Sequence, residues 1–127
     1  MYRLPAKAPM PVPPGGIYVA PFHLRQSGRI RVGRLGSIEF KRGMYVYVGS
    51  AQRNLLARLR RHGRHCKPRR WHINYLSVRA TMIGALVLEG PKALECRLAR
   101  ILANAGAEVV SGFGCSDCRC RSHLFRL

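Results

Sequence analysis

Acid is what this chain lacks. Glu39, Glu89, Glu95, Glu108 and Asp117 are its only carboxylate side chains, against 23 Lys and Arg in 127 residues, for a formal charge of +18. So few acids argue against a glycosidase pair. They argue equally against a two-metal nuclease, which needs several acids around its two ions. A one-metal site with a single carboxylate, completed by water and phosphate oxygens, is still open to the chain. Long apolar runs are missing too. No stretch of 18 apolar residues occurs, so the sequence offers nothing to span a membrane. The first fourteen residues carry five of the eight prolines and no uninterrupted apolar segment of the signal-peptide kind. They read as a flexible, extended arm over 1–14, followed by one domain over 15–127. The five cysteines are odd in number. With no export signal, they point to a reduced, cytoplasmic protein rather than a disulfide scaffold.

What the chain has in excess is cation. Nineteen of the 23 are arginine, which suits bidentate contacts to phosphate, although a GC-rich genome produces the same bias. A field of this size favours a polyanionic partner. Nucleic acid leads, DNA before RNA. An anionic membrane surface is the competitor, but no long basic amphipathic helix is present to lie on one.

The clearest local pattern is Met44-Tyr45-Val46-Tyr47-Val48, β-branched and aromatic and therefore a strand. Gly49-Ser50-Ala51 then opens a helix with Leu55, Leu56 and Leu59 on one face and Arg58, Arg61, His62 and His65 on the next. Upstream, Gly15–Pro21 reads as a short strand closed by its proline, Arg29–Val32 as a half-exposed strand, and Gly36–Gly43 as another. Together they predict an antiparallel meander. Downstream, Thr81–Leu88 reads as one buried strand. Gly90-Pro91 starts a helix that buries Leu94, Leu98, Ile101, Leu102 and Ala105 and ends at Gly106, with Glu95 at the edge of the stripe. The sum is an α+β fold, a small and mainly antiparallel sheet flanked by helices. Between His62 and Arg70 the chain is nearly all basic and predicts a phosphate-facing loop. Trp71 is expected to pack in the core.

A phenol, a guanidinium and an imidazole near one strand–helix junction suit phosphodiester chemistry, while a merely solvated basic face explains the spacing equally well. Adding Tyr18 and Glu95 gives the set Tyr18, Tyr47, Arg58, His62 and Glu95. On these residues the chain resembles the GIY-YIG nucleases. Gly16-Ile17-Tyr18 looks like the first signature tripeptide and Tyr47-Val48-Gly49 like the second. Asn54–Leu59 resembles the helix of the essential arginine, and Leu94–Leu98 the helix of the metal-binding glutamate. A narrower likeness, carried by 43–51, 71–76 and 117–124, is to a small branch of GIY-YIG-like domains found alone or fused to base-excision repair enzymes. Three features depart from the pattern. Twenty-eight residues separate Tyr18 from Tyr47, which implies an inserted hairpin, and Asn74 stands where the branch is expected to carry an acid. The asparagine many family members use near the C-terminus has no clear counterpart here.

The resemblance implies a DNA endonuclease of repair or processing, using one Mg²⁺ or Mn²⁺ on Glu95. Tyr18 or Tyr47 would activate water, Arg58 would stabilise the transition state, and His62 would orient the phosphate or assist proton transfer. Gly49, Ser50, Arg61, His65, Arg69, Arg70 and His72 are expected to bind substrate. The alternative is a non-catalytic nucleic-acid-binding module on the same fold. In the tail, Cys115, Cys118, Cys120 and His123 have donors for a structural zinc. The tight Cys-x-Cys step and the missing second C-x₂-C half favour packed or surface thiols there instead.

Overall fold

The computed structural model describes residues 13–64, 72–114 and 120–127. Two nine-residue strands form its centre. Strand β1 (Gly16–Leu24) and strand β4 (Gly43–Ala51) pair antiparallel over their whole length, Gly16 opposite Ala51 and Leu24 opposite Gly43. Between them β2 (Gly28–Arg31) and β3 (Ser37–Phe40) form a separate two-stranded sheet. This is the inserted hairpin that the long spacing between the two tyrosines required. The expected meander is therefore corrected: β1 skips the hairpin and pairs with β4 directly.

Past β4 the chain makes helix α1 (Leu55–His62) and helix α2 (His72–Ser77). Strands β5 (Thr81–Met82) and β6 (Leu86–Leu88) both line the outer edge of β1, and helix α3 (Ala93–Asn104) follows. Strand β7 (Glu108–Val109) and strand β8 (Leu124–Arg126) complete the sheet in the order β5-β1-β4-β8-β7.

Period-two alternation sorts the side chains of β1 and β4 onto two faces. Tyr18, Ala20, Phe22, Tyr45, Tyr47 and Ala51 pack with Leu55 and Leu59 of α1 and Ile73 and Leu76 of α2. Ile17, Val19 and Val48 pack with Leu94, Leu98, Ala99 and Leu102 of α3. The molecule is thus three layers, with the long strands buried on both faces.

Four local expectations are revised. Pro21 does not close β1. Its carbonyl accepts from the Ile83 N–H at 2.9 Å, so its donor-less nitrogen faces the same side, and there the neighbouring chain breaks into β5 and β6. A proline is tolerated where the ladder is already interrupted. For the same reason the single buried strand expected over Thr81–Leu88 is two short ones. Leu86 is 60% exposed and Leu88 37%. They stand opposite Val19 and Ile17 on the α3 face, at the sheet edge. Strand β4 does not end at Gly49 but runs to Ala51, and α1 starts only after Asn54, whose φ of 54° is left-handed. On α3, Ile101 is 59% exposed while Ala99 is buried, so the helix is rotated from the expected stripe toward Glu95, one turn before Ala99.

Candidate active site

Tyr18 stands opposite Gly49 on β4, and its ring lies directly over that glycine. A Cβ at position 49 would collide with the phenol oxygen and Cζ, so only glycine leaves room for the ring. The Tyr18 hydroxyl meets His62 Nε2 at 2.8 Å. Tyr47, two residues before Gly49 on the same face, brings its ring centroid to 6.2 Å from those of both Tyr18 and His62. Three rings from β1, β4 and α1 thus form one cluster. His62 is 1% exposed, so it leaves the basic outer face of α1 on which spacing put it and turns inward to Tyr18.

Arg58 lies one turn earlier on α1 and donates to the carbonyl of Ser50. The hydroxyl of the same Ser50 donates to Glu95 Oε1. Ser50 follows Gly49, so its side chain falls on the opposite face of β4, toward α3. Arg58 and Glu95 therefore reach one residue at the end of β4 from the two helical layers. The second carboxylate oxygen of Glu95 accepts from His123 Nδ1 at 2.6 Å. Glu95 retains 13% exposure.

Burial is the main force on Tyr18, which is 2% exposed. It pushes the phenol well above its ordinary pKa; the nearby Arg58 charge opposes this and the Glu95 charge adds to it. The folded protein accordingly holds Tyr18 as a neutral phenol. All five residues of the expected set meet around the Gly49–Ser50 corner, Glu95 arriving from the α3 side.

The expected substrate contacts divide. Arg61 joins Arg53, Asn54, Ala57, Arg58 and Arg64 around an open cavity of about 360 Å³ beside α1. His72 is placed against Phe113, ring centroids 5.6 Å apart, and its Nδ1 accepts from the Gly114 N–H at 2.8 Å. Burial lowers its pKa, which keeps the ring neutral and the acceptor in place. His65, Arg69, Arg70 and Trp71 lie outside the described residues, as do Cys115 and Cys118.

Near Glu95 a second group appears. Cys96, Cys120 and His123 each bring one donor atom to within 4.8 Å of the others, close enough to share a metal ion. Cys120 and His123 were legible in the tail motif. Cys96 was not, because it lies 24 residues from Cys120 in a helix where no ligand spacing announces it. His123 as a partner of Glu95 was also missed, and so was Arg53 as a wall of the basic cavity.

The family model described as Domain of unknown function DUF123 matches residues 17–127. The chain is a DUF123 domain. No curated protein and no solved structure matches it. The DUF123 match opens inside β1 and runs to Leu127, so it takes in the tyrosine cluster, Arg58, Glu95 and the cysteine pair alike. No helix among the described residues of this DUF123 domain is long and apolar enough to cross a membrane.

Proposed function

We propose that this DUF123 domain is a DNA endonuclease of the GIY-YIG kind, hydrolysing phosphodiester bonds with one divalent ion in repair or processing. The observation that carries the reading is the meeting of Arg58 and Glu95 on Ser50, beside the hydrogen-bonded Tyr18–His62 pair.

Glu95 fits a hard cation in donor chemistry. Each of its oxygens accepts one hydrogen bond and keeps a further lone pair. Glu95 is the residue to hold Mg²⁺ or Mn²⁺, which when bound neutralises charge on the phosphate and the leaving oxygen. The protein's own groups have separate tasks. Arg58 stabilises the charge that builds on the phosphate. Tyr18 takes the proton of the attacking water while its own moves to His62 Nε2, so no resting phenolate is needed. Tyr47 screens this proton path and the basic cavity beside α1 receives the flanking backbone.

The depth of Tyr18 favours a second reading. A phenol that is 2% exposed and held neutral suits a fold that binds nucleic acid through its arginines without cutting it. Incubation with nicked, flap, duplex and single-stranded DNA separates the two. The nuclease gives strand breaks that require Mg²⁺ or Mn²⁺ and stop with EDTA. Glu95→Ala and Arg58→Ala then lose at least about 100-fold in rate, as removal of a charge-stabilising group does, with DNA binding retained. Cleavage that survives both substitutions refutes the assignment, and binding with no cleavage under any metal selects the second reading.

A further inference from the structure

The cysteine–histidine group beside Glu95 is not used by the proposed chemistry, and its donors are of a different kind. Two sulfurs and an imidazole are soft or borderline ligands, suited to zinc and poorly suited to magnesium. His123 Nδ1 lies 2.6 Å from Glu95 Oε2 and 3.1 Å from the Val48 carbonyl oxygen. Both partners only accept, so the ring proton sits on Nδ1 and the lone pair on Nε2. A carboxylate and a carbonyl fixing the tautomer from behind is how metal-ligating histidines are held. His123 is also 1% exposed, so the ring has little freedom to turn away. A tetrahedral ion with Zn–S bonds of about 2.3 Å puts its donors roughly 3.8 Å apart. The two sulfurs lie within 4.8 Å of each other and of a ring nitrogen of His123, so the sulfur pair needs to close by no more than about 1 Å. Cys96 and Cys120 both line a cavity of about 360 Å³ whose other walls include Ala99, Ala103, Arg121 and Ser122, which gives an ion both a way in and room for a fourth ligand.

We infer that Cys96 Sγ, Cys120 Sγ and His123 Nε2 bind one zinc ion whose fourth position faces this cavity. On binding, both thiols release their protons to solvent and the two thiolates cancel the charge of the ion. The ion ties α3 to the segment that leads into β8, and it holds the imidazole that in turn holds Glu95. The inference stands whether or not the domain cleaves DNA, because it is read from metal content.

Protein purified without chelators carries about one zinc per chain, measured by elemental analysis. Replacement by Co²⁺ gives the near-ultraviolet thiolate-to-cobalt charge-transfer band of sulfur ligation. Cys96→Ser and Cys120→Ser each lose the zinc and the band. Cys115→Ser with Cys118→Ser keeps both, which separates this ligand set from one drawn on the tail motif alone. Glu95→Gln weakens zinc binding by about 10- to 100-fold through the orientation of His123. Should the cysteine variants fail to fold, the cobalt titration of the native chain still decides. Zinc well below one per chain after reconstitution, no charge-transfer band, a Cys96–Cys120 disulfide in the reduced-buffer preparation, or zinc lost with Cys115 and Cys118 would each overturn the assignment.

Discussion

At the scale of single residues, Gly49 and Tyr18 fit as a pair. The glycine lies inside a nine-residue strand, where such a residue costs stability, and its use is to seat an aromatic ring on the neighbouring strand. Gly49→Ala forces the phenol off its site and breaks the contact with His62. The expected loss is about 1–3 kcal/mol, the range for overpacking a core, read from the midpoint of urea unfolding. An unchanged midpoint with Tyr18 still in place would refute the fit. Tyr18 also sets an alkaline limit. Its folded pKa is raised by burial, so the folded state binds the proton more tightly than the unfolded chain does. The stabilising difference is fully present below the ordinary tyrosine value of about 10 and is lost as pH rises beyond it. Stability should therefore fall steeply above about pH 10, and Tyr18→Phe should flatten that fall. Tyr45, whose pKa is also raised by burial, leaves a smaller residual slope in the variant. A Tyr18→Phe protein with the full alkaline decline would mean that another group is responsible.

At the scale of elements, what the sequence conveyed depended on whether a segment's own pattern set its structure. Met44–Val48 and the Leu55–Leu59 repeat carry the period of their element, and strand β4 and helix α1 form there. The distance from Tyr18 to Tyr47 demanded an insertion, and the β2–β3 hairpin fills it. The errors fall where a partner decides. Gly49 looks like a turn until the ring of Tyr18 occupies the space of its missing side chain. His62 shares a helical face with arginines by angle, yet a hydrogen bond to a residue 44 positions away draws it inward. Cys96 has no ligand spacing in the sequence, because its neighbours in space come from the far end of the chain. Helix α3 shows the same limit and allows a test. Leu94, Leu98 and Leu102 fit either of two adjacent faces, and only the sheet chooses Ala99 over Ile101. Ile101→Asp should then change stability by no more than about 0.5 kcal/mol, as a surface substitution does. Ala99→Leu should cost about 1–3 kcal/mol by overpacking against the buried sheet. Thermal melts of the two variants in the opposite order would place the buried face where the sequence alone put it.

At the scale of the whole molecule, +18 on 127 residues makes attraction to any polyanion nearly unavoidable, so binding alone says little. The informative quantity is how the attraction is distributed. Diffuse charge would make every arginine worth about the same. A built phosphate path would concentrate the effect where Arg53, Arg58, Arg61 and Arg64 line one cavity beside the Tyr18–His62 pair. Each phosphate contact contributes about 0.9 to the slope of log affinity against log salt on duplex DNA. Under the proposed function, Arg53→Ala with Arg64→Ala should lower that slope by nearly 2 and weaken binding about equally across sequences. A control pair that removes the same charge elsewhere, Arg29→Ala with Arg97→Ala, should lower it by much less. These four positions leave Arg58 and Glu95 intact, so any cleavage lost through weak binding should return at low salt. Equal slopes for the two pairs would mean that the cavity is no more than one part of an evenly basic surface, and would remove the substrate path from the model of the site.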